Sequence, residues 1–277
     1  MILAAAIGVL VGVVVGTLGA GGGILSFPIL VYVLGFEPHA AAAASLVIVG
    51  ASSLVSLLPH ARAGHVNWTQ GLAFGGLGSV GALAGAWTAR LIDAELLMVL
   101  LAALLLAVAT IMLRRSWRRA RQERGRLSAA GTSPAGDVEA DADDAGHRTA
   151  RRRPLLTVVA ASVAGLLTGL FGVGGGFIVV PALVLVMGVG MRAAVGTSLL
   201  VIAVNTVVGL AGRIGQSYPM DWWVVAAFAV TSMVGGLLGA RLSTRAKPAT
   251  LSLLFGLLLA AVAVATAVQA VPALIAG

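Results

Sequence analysis

Long apolar runs constrain the fold of this chain more than any other feature of its sequence. Hydrophobic residues make up 59% of its 277 residues and charged residues only 10%, whereas soluble proteins carry roughly 25% charged residues. So few charges cannot cover a water-facing surface of that size. The sequence therefore predicts an all-α polytopic membrane protein with about 8 to 10 membrane helices. The apolar segments lie at about 2–18, 24–35, 40–58, 69–90, 96–113, 155–171, 177–190, 193–212, 223–243 and 250–271.

The first two apolar segments of each half are shorter than the others, and glycines separate them. A helix needs roughly 20 residues to cross the hydrocarbon core, which the third, fourth and fifth segments of each half provide. We predict that the two short segments are either thin spans or the two arms of a hairpin that enters and leaves by one face. No basic residues precede the first segment, so we expect a membrane element there and not a signal peptide.

One polar stretch, about 114–153, interrupts the apolar pattern. It holds 11 of the 18 Lys and Arg residues and has little to bury, which is typical of a mobile linker. Such charges beside membrane spans set orientation and contact anionic lipid, so we expect no nucleic-acid partner. We divide the chain into a first membrane repeat (1–113), a basic cytoplasmic linker (114–153) and a second membrane repeat (154–277).

Basic residues also predict the orientation of the two halves, because Lys and Arg collect in cytoplasmic loops. With the linker inside, the loop from His60 to His65 is also inside and the loop around Asp93 is outside. Arg241, Arg245 and Lys247 favour an internal loop in the second half. These positions predict an inverted repeat with an odd number of crossings per half. A parallel four-plus-four arrangement would break the rule only at that last loop.

A repeated pattern relates the two halves. Gly19 to Leu30 reads GAGGGILSFPIL and Gly172 to Leu183 reads GVGGGFIVVPAL, which are identical at six of twelve positions. At the same or nearly the same offset, the halves also share a Ser-Leu pair, an Asn/Asp-Trp pair and a GxxxG pair: Ser45-Leu46 and Ser198-Leu199, Asn67-Trp68 and Asp221-Trp222, Gly81/Gly85 and Gly235/Gly239.

The glycine triplets Gly21–Gly23 and Gly174–Gly176 should break helices, since Gly costs roughly 1 kcal/mol relative to Ala in a helix interior. The helix that restarts after each triplet has unpaired N–H groups and the positive end of its dipole. Bare glycine backbone leaves these groups open to an anion, and we expect the two breaks to meet near the midplane. The alternative is close helix packing, as at the GxxxG pairs. Pro28 and Pro181 predict a kink in each short helix.

Polar residues inside the apolar segments are the next candidates for a substrate pathway: Ser45, Thr197, Ser198 and Asn205. A buried amide is costly without a partner, which a bond between helices would also supply. His60 and Arg213 end the third segments at matched positions, where they could attract an anion to a cavity mouth or extend to the interface. No set of carboxylates, metal ligands or Ser/His/Asp residues is placed for chemistry, so we expect neither an enzyme nor a metal site.

The doubled GxGGG-xxxx-P-x-L element, the Ser-Leu helix, the Asp/Asn-Trp loop and the glycine-rich fourth segment resemble the TauE/SafE family of sulfite exporters. The resemblance covers essentially the whole chain apart from the linker. It implies a bacterial or archaeal inner-membrane permease for small anions, typically sulfite, sulfoacetate or other organosulfur compounds, without catalytic residues or a prosthetic group. The halves differ at one matched position, where Ala44-Ser45 corresponds to Thr197-Ser198.

We therefore expect a secondary transporter that moves a small sulfur-containing anion by alternating access. The expected substrate-binding residues are Gly21, Gly22, Gly23, Gly174, Gly175, Gly176, Ser45, Thr197, Ser198 and Asn205. One alternative is a carrier of a carboxylate or an inorganic oxyanion, and another is a non-transporting assembly or sensor subunit whose linker binds a partner. The expected partners are the anion and membrane lipids, and the sequence leaves a homo-oligomer open.

Overall fold

The computed structural model describes residues 2–19, 23–129, 154–172, 176–213, 215, 220–245 and 248–276. In these ranges the chain forms ten α-helices, one short 3-10 turn and no strand. The first half contains α1 (Ile2–Leu18), α2 (Gly23–Tyr32), α3 (Pro38–Arg62), α4 (Trp68–Thr88) and α5 (Ala94–Ala129). The second half contains α6 (Pro154–Phe171), α7 (Gly176–Leu185), α8 (Met191–Ala211), α9 (Trp222–Arg245) and α10 (Pro248–Ala276). Each predicted segment corresponds to one helix, so the all-α prediction is confirmed.

Four helices in the described part of the chain are long and apolar enough to cross a membrane, judged by length and composition. They are Pro38–Arg62, Glu95–Arg114 within α5, Met191–Ala211 and Trp222–Ser243 within α9. The chain is therefore a multi-pass membrane protein. Two helices that were predicted to be long enough are not among them: α4, and α10, of which only Leu253–Val268 counts, as a shorter apolar helix. In α4 the reason is its composition. Six of its 21 residues are glycines, which add length with little hydrophobicity.

The basic stretch after Arg114 differs in part from the predicted linker. Helix α5 continues to Ala129, so the first part of that stretch is helical. Residues 130–153 lie outside the described residues, and the domain boundaries stay a prediction.

Helices α3 and α8, the central helix pair, run antiparallel through the middle of the bundle. A Cβ atom added at Gly50 would lie 3.0 Å from Thr206 Oγ1, and one added at Gly209 would lie 3.6 Å from Leu46 Cδ1. Residue numbers therefore rise along α3 in the direction in which they fall along α8, so the two helices are antiparallel. These helices are the third segments of the two halves, so equivalent elements run in opposite directions, the relation that an inverted repeat predicts.

The first helix of each half packs against the fourth helix of the other half, α1 on α9 and α6 on α4. At these interfaces the backbones touch. A Cβ atom at Gly16 would lie 2.1 Å from Gly236 O, and one at Gly169 would lie 2.0 Å from Ala82 O. Any side chain larger than hydrogen would push the helices apart, so the GxxxG glycines serve close helix packing as predicted.

Helices α1 and α2 form the two arms of a hairpin. The end of α1 lies beside the end of α3, because His60 Nε2 is 3.1 Å from Gly16 O. The start of α3 at Pro38 lies about 33 Å from His60 along the helix. Helix α2 and its loop must therefore return the chain along most of α3, which favours the hairpin over two thin spans.

Candidate functional site

Two glycines with left-handed backbone end the first helix of each half. Gly19 has φ 61° and Gly172 has φ 64°, a conformation that other L-residues rarely adopt and that commonly terminates helices. We call these residues the first and second glycine turns. The short helices α2 and α7 begin a few residues later at Gly23 and Gly176. The predicted cradle residues Gly21, Gly22, Gly174 and Gly175 lie outside the described residues.

A serine from the opposite half bonds each glycine turn. Ser198 Oγ donates to Gly19 O at 2.8 Å and shares its proton with Val195 O at 2.8 Å. In the matched position, Ser45 Oγ donates to Gly172 O. Both serines are fully buried. Ser45 and Ser198, predicted as ligands, therefore already use their hydroxyl protons to hold the turns against the central helix pair.

The structure does not bring the two glycine turns together. Ser45 precedes Leu46, which lies beside Gly209, whereas Ser198 lies about three helical turns, or 16 Å, further along α8. Because each glycine turn sits on its own serine, the turns lie about 16 Å apart along the central helix pair. Most of the triplets lies outside the described residues, so the expectation that the breaks meet near the midplane stays a prediction.

His60 and Arg213, predicted at a cavity mouth, also act on the ends of α1 and α6. His60 Nε2 lies 3.1 Å from Gly16 O, and Arg213 Nη2 donates to Gly169 O at 2.9 Å. The side chains are only 1% and 5% exposed, so neither extends to the interface. Each reaches a carbonyl in the last turn of a helix, where intrahelical donors run out.

Thr197 connects α8 to the start of α4. Its Oγ1 accepts a hydrogen bond of 3.0 Å from Asn67 N, and the Asn67 side chain caps α4 by accepting from Gln70 N at 3.1 Å. Ala44, the matched residue in the first half, has no hydroxyl and can form no such bond. Because of this difference in sequence, α8 accepts a hydrogen bond from the start of α4, and α3 has no equivalent bond at the matched position.

Asn205 is fully buried in α8, and its amide faces α4. A Cβ atom at Gly78 would lie 3.0 Å from its Nδ2 and 3.1 Å from its Oδ1. Neither amide atom has a hydrogen-bond partner in the described part of the chain. The bond between helices that the sequence suggested is therefore not made among these residues, and Gly78 provides the space for the amide.

Ser26 is a polar residue that the sequence reasoning missed. It lies in α2, is fully buried, and its hydroxyl has no hydrogen-bond partner among the described residues. The sequence did contain a signal for it, because the serine lies within one turn of a glycine break, where the first backbone N–H groups of a helix have no partner within the helix. The described residues also contain no group of three or more His, Cys, Asp or Glu side chains that could hold a metal ion.

Comparisons with known proteins point in the same direction as the fold. The chain matches the family described as Sulfite exporter TauE/SafE over residues 4–266. It is 36% identical over 262 residues to a "Probable membrane transporter protein" of Xylella fastidiosa strain 9a5c, covering 93% of this chain and 91% of that protein. "Probable membrane transporter protein YdhB" of Bacillus subtilis strain 168 is 28% identical over 232 residues, with coverage of 84% and 86%. No solved structure matches the chain significantly.

A multi-pass bundle of apolar helices with relatives of this kind defines a membrane transporter. The chain belongs to the TauE/SafE family of sulfite exporters.

Proposed function

We propose that the chain is a secondary carrier of small sulfur-containing anions, such as sulfite or an organosulfonate, and works by alternating access. The observation that carries this proposal is the pair of glycine turns, each followed by a short helix and each bonded by a serine of the opposite half. The start of a helix attracts anions through its free N–H groups and its dipole. The family name supports sulfite as the substrate class.

Two separate cradles fit this geometry better than one. Gly21–Gly23 would form the first cradle and Gly174–Gly176 the second. The glycine turns lie about 16 Å apart along the central helix pair, so each cradle would lie toward a different face of the membrane. Ser45 and Ser198 would then position the cradles, while Thr197 and Asn205 stay candidates for direct contact with the anion.

A transport assay in proteoliposomes tests the cradles. We expect Gly22→Leu and Gly175→Leu to reduce sulfite uptake at least tenfold, because the added side chain covers the backbone N–H groups. Gly76→Leu is the matched control, since this exposed glycine of α4 has no other atom within 4 Å of an added Cβ. Wild-type uptake by a folded Gly22→Leu, Gly175→Leu double variant would overturn the cradles.

The same assay separates the alternatives. Competition by carboxylates but not by sulfur oxyanions would assign a different substrate. Deleting residues 130–147 leaves the described part of α5 intact and should leave sulfite uptake unchanged. A wild-type protein that moves no anion, and whose cellular role is lost with the deletion, would be an assembly or sensor subunit.

The positions of basic residues support a plasma-membrane location with the linker in the cytoplasm. The chain contains no cysteine, so single introduced thiols report sidedness without background. In intact cells, an impermeant maleimide should label Leu91→Cys, whose native side chain is 77% exposed, and should not label Ala63→Cys in the exposed loop after α3. The reverse labelling pattern would invert the orientation.

A further inference from the structure

We propose that His60 binds a proton on Nδ1 together with the transported anion, so that the carrier is a proton–anion symporter. This inference rests on the proposed function and adds the ion that drives transport. It uses a buried ionisable side chain whose only described role is its bond to α1.

The bond to α1 determines which nitrogen of His60 can take the proton. Nε2 lies 3.1 Å from Gly16 O, and a carbonyl oxygen can only accept, so Nε2 carries the hydrogen. In the neutral ring Nδ1 then keeps a lone pair. A lone pair needs a donor, and the nearest backbone N–H groups along the chain already donate to carbonyls: those of Ala63, Gly64 and His65.

The described conformation closes Nδ1 to water and to partners. His60 is only 1% exposed, and its Nδ1 has no hydrogen-bond partner among the described residues. A second proton would leave a buried charge and a donor without an acceptor, both of which are costly. The imidazolium therefore favours another conformation, in which the junction of α1, α3 and α9 is open at Nδ1. Two conformations that differ in their affinity for a proton are the condition for coupling.

The described ionisable side chains around this junction are all basic. Helix α1 has no ionisable side chain, and α3, α8 and α9 contain no Asp or Glu. The ring of His65 lies 6.4 Å from that of His60, between centroids. Arg62 of α3 and Arg241 of α9 are exposed, and Arg192 of α8 is half-buried. No carboxylate of these helices can balance a charged His60, whereas an entering anion can, so proton and anion each increase the affinity for the other.

Buried hydroxyls lead from the middle of the bundle to His60 in this half alone. Ser56 lies one turn before His60 in α3 and faces Gly236 of α9, and Ser232 lies one turn before Gly236. Both serines are fully buried. A hydroxyl both donates and accepts, so it can pass a proton along. The second half has glycine at both matched positions, Gly209 and Gly78.

The residue matched to His60 in the second half cannot take the same role. Arg213 bonds Gly169 O as His60 bonds Gly16 O, but a guanidinium does not lose its proton in proteins. Only the first half therefore has a buried group in this position that can bind and release a proton. One such group predicts one proton for each transport cycle.

The test measures accumulation of labelled methanesulfonate, with labelled sulfite in parallel, by the purified full-length protein in proteoliposomes with a clamped membrane potential. Methanesulfonate keeps its charge near neutral pH, whereas sulfite itself takes up protons there. With the outside about one pH unit more acidic, we expect about tenfold accumulation by the wild type, the effect of one coupled proton. His60→Gln keeps a donor for Gly16 O. We expect its accumulation to fall below about twofold, while anion exchange at equal pH stays within about twofold of wild type.

His39→Gln is the matched control, since His39 lies at the other end of α3, and it should accumulate the anion as the wild type does. Wild-type accumulation by His60→Gln, or failure of that variant to fold, overturns the role of His60. Loss of accumulation in His65→Gln but not in His60→Gln assigns the proton to His65 and also overturns it. Accumulation driven by the reverse gradient overturns symport.

The proposed function has a separate outcome in the same assay. A wild-type protein that exchanges either anion but does not respond to the pH gradient overturns the inference and leaves the proposed function standing. A wild-type protein that moves neither sulfite nor methanesulfonate refutes the proposed function itself, and the inference with it.

Discussion

The two glycine turns have nearly the same backbone and different side-chain surroundings. Both are left-handed, with φ of 61° at Gly19 and 64° at Gly172. Both carbonyls accept a hydrogen bond from a serine of the opposite half, Ser198 or Ser45. The backbone is alike because both turns depend on the same constraint, a residue without Cβ where a helix must end against a neighbouring backbone.

The two turns differ in the side chains that lie next to them. The first glycine turn is followed by Ser26, whose hydroxyl has no partner among the described residues, and the second by Val179 at the matched position. The carbonyl ahead of the turn meets the imidazole of His60 in one half and the guanidinium of Arg213 in the other. Packing therefore requires glycine at both turns, whereas the side chains beside the turns can differ between the halves. Such differences can give the two halves separate roles.

The largest expected effect tests the shared framework. Gly16→Ala and Gly169→Ala would each place a Cβ about 2 Å from a backbone oxygen of the opposing helix. We expect each variant to lose about 4 kcal/mol or more of unfolding free energy, measured by denaturant titration in detergent. Gly76→Ala should stay close to wild type or be slightly more stable. A large loss in only one of the two variants would break the equivalence of the halves.

A smaller effect should separate His60 from Arg213. Charge-assisted hydrogen bonds are roughly twice as strong as neutral ones, so Arg213→Ala should cost about 2–4 kcal/mol and His60→Ala about 1–2 kcal/mol. Thermal unfolding at one pH gives both values. Arg62→Ala, at an exposed residue of α3, is the control and should change stability by less than about 0.5 kcal/mol. A greater loss for His60→Ala would reverse the assignment of the stronger bond.

The serines that bond the glycine turns should contribute about equally. Ser45→Ala and Ser198→Ala should each cost about 1 kcal/mol. Because the serines lie about 16 Å apart along the central helix pair, the double variant should show the sum of the two losses within about 0.5 kcal/mol. Ser79→Ala, which removes a bond within one helix, serves as the comparison. Strong coupling between Ser45 and Ser198 would contradict the separation of the turns.

The smallest effect concerns the position at which the halves differ in sequence. Thr197→Val should cost about 0.5–1 kcal/mol, because the part-buried Asn67 N–H loses its acceptor. Thr206→Val is a matched control, since that hydroxyl donates only to carbonyls of its own helix. Protection of the Asn67 amide from hydrogen exchange should fall in Thr197→Val alone. Unchanged protection would show that the connection to α4 is made in another way.

Much of the fold could be predicted from local patterns. Hydrophobic runs gave each helix to within a few residues at most ends, because a helix in lipid must satisfy its backbone internally and stops where glycine or charge interrupts it. The GxxxG pairs predicted the close contacts that Gly16 and Gly169 make, whereas the membrane orientation inferred from the basic loops stays a prediction. The prediction for the basic stretch was less accurate, since Arg and Gln are good helix formers and α5 continues through them to Ala129.

The candidate site was less predictable for a physical reason. Ser45 and Ser198 were recognised as important, but their hydroxyls bond carbonyls of the opposite half, and no local pattern reveals such a partner. Ser26 was missed because a lone serine in an apolar helix usually bonds its own backbone. In the described part of the chain the Ser26 hydroxyl makes no such bond.

The sequence by itself determined that this protein lies in a membrane, where its helices run and where glycine interrupts them. Hydrophobicity and the conformational freedom of glycine act over a few residues, so they can be read along the chain. The tertiary structure decided that the glycine turns lie apart, that each is bonded by the other half, and that the Ser26 hydroxyl has no partner in the part of the chain that the structure describes. Those features depend on how helices more than a hundred residues apart pack against each other, and packing is set by the complete bundle.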